Sequence, residues 1–68
     1  MGLKKRSFSL SGHKTSVALE EDFWAILDGE AQKTGRSLAA LVQTIDATRG
    51  SRPLASALRL FALAAKDR

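Results

Sequence analysis

Residues 14–22 read Lys14-Thr15-Ser16-Val17-Ala18-Leu19-Glu20-Glu21-Asp22, and this stretch decides the fold. Up to Leu19 the pattern has period two. Thr15, Val17 and Leu19 fall on one side, Lys14, Ser16 and Ala18 on the other, as in a strand with one buried face. At Glu20 the period changes. Leu19, Phe23, Ile26, Leu27 and Ala31 recur at helical spacing. Glu20, Glu21 and Asp22 occupy the first turn, where they complement the positive end of the helix dipole. A lone strand leaves its backbone donors and acceptors unpaired, so it needs a neighbour. That neighbour is either Ser7–Leu10, which also alternates and is followed by a Ser11-Gly12 turn, or the same strand of a second chain.

Further along, Gly35 stands where a C-terminal cap belongs, with Lys33 and Arg36 near the negative helix end. Ser37 is placed to cap a second helix, whose apolar stripe is Leu38, Leu41, Val42 and Ile45 and whose natural stop is Gly50. Pro53 suits the first position of a third helix. Leu54, Leu58, Phe61 and Ala65 form its main stripe, and Leu60 and Leu63 broaden it, so that helix is expected to bury more than one face. Phe23 reads as core and Trp24 as a half-buried cover or dimer contact. The chain is thus expected to be mainly α with one β-strand. Residues 1–12 form a basic N-terminal arm with a strand-like end, and residues 13–68 form the domain.

A chain of 68 residues buries a limited core and usually needs a staple. Cysteine is absent and His13 is the single histidine, so disulfides and a closed metal site are excluded as staples. With 44% hydrophobic residues the chain is too apolar to be disordered, which leaves oligomerisation. No apolar run approaches the roughly 20 residues that span a bilayer. The basic start lacks a signal-peptide apolar region, and Arg6 stands where a myristoylation pattern needs Ser or Thr. A cytoplasmic, nucleoid-associated protein is expected, with no membrane partner.

The formal charge of +4 is unevenly laid out. Residues 1–16 hold Lys4, Lys5, Arg6 and Lys14 and no acid. Residues 17–48 carry six acids against Lys33 and Arg36, and residues 49–68 are basic again. Cations gathered at both ends suit a polyanion. Catalysis has little to build on. A nucleophile–base pair would need Ser or Thr with His13, which has no neighbouring carboxylate to orient it. Glu20, Glu21 and Asp22 diverge by about 100° per residue and do not converge on one ion. Gly12-His13-Lys14-Thr15 lacks the glycine and the strand-to-helix order of a phosphate-binding loop. No enzyme activity, cofactor, metal or small-molecule ligand is expected.

The alternating strand is more informative. If two chains pair it antiparallel, Lys14, Ser16 and Ala18 from both face outward. A two-stranded ribbon fits the major groove of B-DNA. Lys14 can donate to guanine O6 and N7, Ser16 can bond either kind of base edge, and Ala18 can touch a thymine methyl. The Ser37 hydroxyl and the free amides of Leu38 and Ala39 offer a phosphate clamp at the start of the second helix.

Val17-Ala18-Leu19 before an acid-rich helix, with Thr34-Gly35-Arg36-Ser37 opening a second, resembles the ribbon-helix-helix DNA-binding proteins of bacteria and phages, the group of the Arc and Met repressors. The chain is most similar to a small bacterial branch carrying Lys5-Arg6-Ser7, Gly12-His13-Lys14-Thr15-Ser16, Phe23-Trp24 and Ser56-Ala57-Leu58-Arg59-Leu60-Phe61. The resemblance implies an intertwined homodimer with an intersubunit antiparallel ribbon and a third C-terminal helix. It puts Lys14, Ser16 and Ala18 on the base-facing side and Ser37, Leu38 and Ala39 at a phosphate. Val17, Leu19, Phe23, Leu27, Leu41, Val42 and Ile45 would form the shared dimer core. Two positions depart from the pattern: Ala18, where many relatives carry a basic or amide residue, and Glu20, where many carry proline. The long start from Lys4 to Gly12 is expected to compensate with phosphate or minor-groove contacts, with Lys4, Lys5 and Arg6 at phosphates.

The function these features imply is a sequence-specific transcriptional regulator, a repressor binding double-stranded DNA as a homodimer or in higher order. Two alternatives keep much of the sequence logic: an antitoxin of a toxin–antitoxin pair, and a protein-interaction module that binds no DNA.

Overall fold

The computed structural model describes residues 2–67. Two strands come first, β1 at Leu3–Leu10 and β2 at His13–Glu20, and pair antiparallel as one two-stranded sheet. Helices α1 (Glu21–Lys33), α2 (Leu38–Thr48) and α3 (Leu54–Lys66) follow. The expectation of a single strand is therefore corrected to two, each of eight residues. Ser11 and Gly12 make the connection with φ of 53° and 82°. Positive φ at both central residues gives a two-residue turn whose twist matches that of the flanking strands. Within the chain, β2 thus takes β1 as its neighbour, the first of the two partners its pattern left open. The register runs from Leu3↔Glu20 at the open end to Leu10↔His13 at the turn.

The first half of β1 carries no apolar alternation because its inward positions are Lys4 and Arg6. Arg6 serves as an apolar residue would, packing and bonding against α1, whereas Lys4 is exposed and contributes its backbone carbonyl. The Arg6 guanidinium lies 4.8 Å from the centre of the Trp24 ring and forms a two-pronged ion pair with Asp28, at 3.1 and 3.3 Å. Trp24 Nε1 donates to the Lys4 carbonyl at 2.8 Å. Further along β1, Phe8 and Leu10 are buried, and the Phe8 and Trp24 rings are 5.9 Å apart.

These contacts reverse the expected roles of two aromatic neighbours. Trp24 is fully buried and Phe23 only half so. Either residue fits the stripe with Leu27 and Ala31, and the choice is made by β1, which covers the Trp24 side. Phe23 turns toward α3, where Arg59 lies 5.9 Å from its ring.

The helix boundaries follow local chemistry. Glu20 stands at the N-cap of α1, leaving Glu21 and Asp22 in the first turn. After Thr34, Gly35 adopts φ of 68°. Its amide bonds the Gln32 carbonyl and that of Arg36 bonds the Ala31 carbonyl, which satisfies two carbonyls at the helix end. Ser37 caps α2 by accepting from the Ala40 amide at 3.0 Å. Pro53 sits one place earlier than expected, at the N-cap of α3.

Val17 and Leu19 of β2, Leu27 of α1, Leu41, Val42 and Ile45 of α2 and Leu58 and Ala62 of α3 meet in one core. Helix α3 packs against α1, α2 and β2. No buried side-chain polar atom among the described residues lacks a partner. Truncating a fully buried leucine such as Leu27 or Leu58 to alanine would cost about 2–5 kcal/mol. Within the single chain the second face expected of α3 is left uncovered: Leu60 is 46% and Leu63 49% exposed. No helix among the described residues is long and apolar enough to cross a membrane.

Candidate nucleic-acid interface

The hairpin has two unlike faces. Its inner face carries Phe8, Leu10, Val17 and Leu19 into the core. Leu3 and Glu20 pair at the open end of the outer face; beyond them, pairing puts Lys5 opposite Ala18, Ser7 opposite Ser16 and Ser9 opposite Lys14, and these six residues make up the rest of that face. Five of them are exposed and Ala18 is half-buried. The Ser7 and Ser16 hydroxyls meet across the strands at 3.0 Å. Neither Lys5 nor Lys14 has an ion-pair partner among the described residues, so both ammonium groups are available to an anion.

Lys14, Ser16 and Ala18 therefore share one outward surface. Lys5, Ser7 and Ser9 join it from β1, although the sequence pattern did not single out the two serines. The available signal was the alternation of Lys5, Ser7 and Ser9 with Arg6, Phe8 and Leu10. The cations at its first two inward positions hid it.

Lys4, Lys5 and Arg6 are divided between the faces. Strand alternation puts Lys5 on the outer face and Lys4 and Arg6 on the inner one, and all three line one cleft with Glu21, Trp24, Ala25 and Asp28 of α1. Ser37, Leu38 and Ala39 lie together at the start of α2. The Ser37 hydroxyl is occupied by Ala40, and the Leu38 and Ala39 amides precede the first intrahelical donor, as the first turn of any helix requires. The tip of the hairpin is tied to α2: Gln43 accepts from the Ser11 amide at 3.2 Å and donates to the Ser11 hydroxyl at 3.1 Å. One helix thus holds the turn in place and also presents the candidate phosphate site.

Glu20 brings a negative charge to the open end of the ribbon. Arg59 of α3 neutralises it with a two-pronged contact at 3.0 and 3.3 Å. That hydrogen bonding, followed by a backbone bond within Glu20, holds the carboxyl pKa below its ordinary 4.5. Arg59 is thus engaged in the fold, as Arg6 is with Asp28 and Arg49 with Asp46. Trp24 offers no ring face for stacking a ligand, because Arg6 covers it and Lys4 takes its N–H.

Of the residues assigned to a dimer core, Val17, Leu19, Leu27, Leu41, Val42 and Ile45 are buried within the single chain, and Phe23 is half-buried.

A hairpin leading into helices, with one outward polar face, is matched at the level of the whole chain. Residues 3–65 match the family described as the ribbon-helix-helix domain. The chain belongs to the ribbon-helix-helix family. Domains of this family are generally DNA-binding or regulatory modules and typically bind DNA as dimers. No curated protein and no solved structure gives a significant match. In this ribbon-helix-helix chain the helices carry and orient the hairpin, and the unpaired lysines and the hydroxyls stand on the hairpin's outer surface.

Proposed function

We propose that this ribbon-helix-helix protein is a sequence-specific transcriptional regulator, a repressor acting in the bacterial cytoplasm at the nucleoid, and that it lays an antiparallel ribbon into the major groove of DNA. The observation that carries this reading is the outer face of the hairpin, which is acid-free from Lys5 to Ala18 and bears two unpaired lysines and three hydroxyls. Lys14 donates to guanine, Ser16 bonds a base edge and Ala18 meets a thymine methyl. Lys4, Lys5 and the Ser37-Leu38-Ala39 helix start bind phosphates, which set register without reading sequence. Arg6 joins that set only by leaving Asp28.

The protein acts as a homodimer on paired half-sites. A ribbon made of β2 from two subunits is supported by one observation: no further strand among the described residues pairs with the sheet, so β2 keeps an open edge for a second copy.

Selection from random duplexes at two salt concentrations tests the proposal. A preferred sequence should emerge, and Lys14→Ala with Ser16→Ala should abolish the preference, each good base contact contributing about 1–3 kcal/mol. Lys4→Ala should weaken all sequences alike and reduce the salt slope by about 1. If no sequence is preferred at either salt, the protein is not a specific regulator. An antitoxin or a pure interaction module then accounts for the chain.

A further inference from the structure

We propose that a second copy of this chain covers the outer face of α3, so that Leu60 and Leu63 supply the apolar half of a homodimer interface whose other half is the open edge of β2. This rests on the homodimer proposed above and concerns which surface joins its subunits.

The first reason is what the single chain leaves over. Val17, Leu19, Leu27, Leu41, Val42 and Ile45 are buried against one another within one subunit, so they have little surface to share with another. Among the described residues the exposed large hydrophobic side chains are Leu3, Leu60 and Leu63, and the last two stand on α3. A joint made by a strand edge alone is mostly backbone and marginal. Stable interfaces bury about 800 Å² on each partner around an apolar centre.

The second reason is the shape of α3. Ala57, Leu58, Ala62 and Ala65 line its buried side. Leu60 and Leu63 stand about 60° apart on the other side, with Ser56 and Ala64 beside them. Those two neighbours are small, so another subunit can approach closely, and residues 60–65 carry no charge.

Position is the third. Strand β1 is held by α1 and α2, through Trp24, Asp28 and Gln43, whereas α3 packs against β2. Arg59 reaches from α3 to Glu20 at the open end of that strand. A copy that pairs with the edge of β2 therefore lies alongside α3. A two-fold axis brings the same patch of both subunits to the joint, four half-exposed leucines in all. Glu20 offsets the Arg59 charge beside the patch, so two chains of net charge +4 can meet there. An identical patch on a second copy is thus its complement in polarity and in charge.

Sedimentation equilibrium of the full chain without DNA tests this, on the wild type, Leu60→Gln with Leu63→Gln, and Leu60→Met with Leu63→Met. Glutamine and methionine have about the helix propensity of leucine, and neither position is buried, so α3 should persist. The wild type should be a dimer. The glutamine pair should raise its Kd by at least about a hundredfold, since each leucine forfeits the burial of about half a side chain. The methionine pair should stay within about tenfold, and a loss equal to that of glutamine would overturn an apolar joint. Should far-UV circular dichroism show that the glutamine pair loses helix, Leu63→Ala alone serves, with a rise of about tenfold. A wild-type dimer that these polar or truncating changes leave unaltered would overturn the role of α3 and leave the ribbon dimer standing. A wild-type tetramer that the glutamine pair turns into a dimer would put the leucines between dimers and overturn it too. A wild type that is monomeric in solution also overturns it, and if a selected duplex is bound by one monomer the homodimer itself fails.

Discussion

Replacing Trp24 by phenylalanine tests whether this residue locks β1 onto the helices. The substitution removes three contributions that can be sized from the structure. Loss of the 2.8 Å bond from Nε1 leaves the Lys4 carbonyl without that donor, at about 1 kcal/mol. Shrinking a fully buried indole to a phenyl ring leaves part of a cavity, about 1 kcal/mol, a fraction of the 3–5 kcal/mol that complete truncation costs. The Arg6 guanidinium keeps a ring beneath it but a weaker one, losing about 0.5 kcal/mol. The sum is about 2–3 kcal/mol, a large part of the roughly 3–10 kcal/mol a chain of this size commands. At about 4–8 °C per kcal/mol, Tm should fall by roughly 10–20 °C. Trp24 is the single tryptophan, so melting must be followed by far-UV circular dichroism. It should be run at two protein concentrations a decade apart, because dimerisation makes Tm concentration-dependent. Amide exchange should quicken most along Leu3–Leu10. A Tm within about 3 °C of the wild type, with β1 exchange unchanged, would refute the assignment of Trp24 as the lock.

Two further outcomes follow from local contacts. Ser37→Ala should destabilise the fold by about 1 kcal/mol through loss of the bond from the Ala40 amide. Ser37→Asp should keep the cap and the melting temperature yet weaken DNA binding by placing a carboxylate where a phosphate is proposed. If Ser37→Asp leaves affinity intact, the helix start is not a phosphate site. For Glu20, the folded pKa is lowered, so its contribution is present above the ordinary 4.5 and is lost as pH falls through the lower folded value. An NMR titration should give a Glu20 midpoint below 4.5 that rises in Arg59→Gln; a wild-type midpoint at or above 4.5 would contradict the Arg59 contact.

Several features were legible in the chain alone because their causes are local. Helix starts and stops depend on one or two residues, and Gly35, Ser37 and Gly50 punctuate the chain where the sequence places them. The face of β2 was legible too, since strand geometry makes alternate residues diverge whatever lies beneath them. The apolar stripe of α2 was equally plain, with Leu41, Val42 and Ile45 buried as their spacing requires.

What escaped the sequence depends on neighbours distant in the chain. The length of β1 was obscured because an arginine over an aromatic ring can occupy an inward position as well as an apolar residue can. Which of Phe23 and Trp24 enters the core was undecidable from helical spacing, because adjacent residues flank the same stripe. Leu60 and Leu63 looked like a second buried face, yet α3 meets its neighbours on one side only. The charge of Glu20 looked unopposed until α3 brought Arg59 across 39 residues to meet it.

The sequence by itself therefore determined a strand with a polar, cationic face leading into three helices, the second of them capped by Ser37, because those properties follow from spacing and short-range hydrogen bonds. Only the tertiary structure decided what lies beside that strand. The Ser11-Gly12 turn folds β1 back onto it and the helices clamp β1 there, through contacts more than twenty residues apart that no local pattern encodes. The polar face of one strand thereby became the outer face of a complete hairpin.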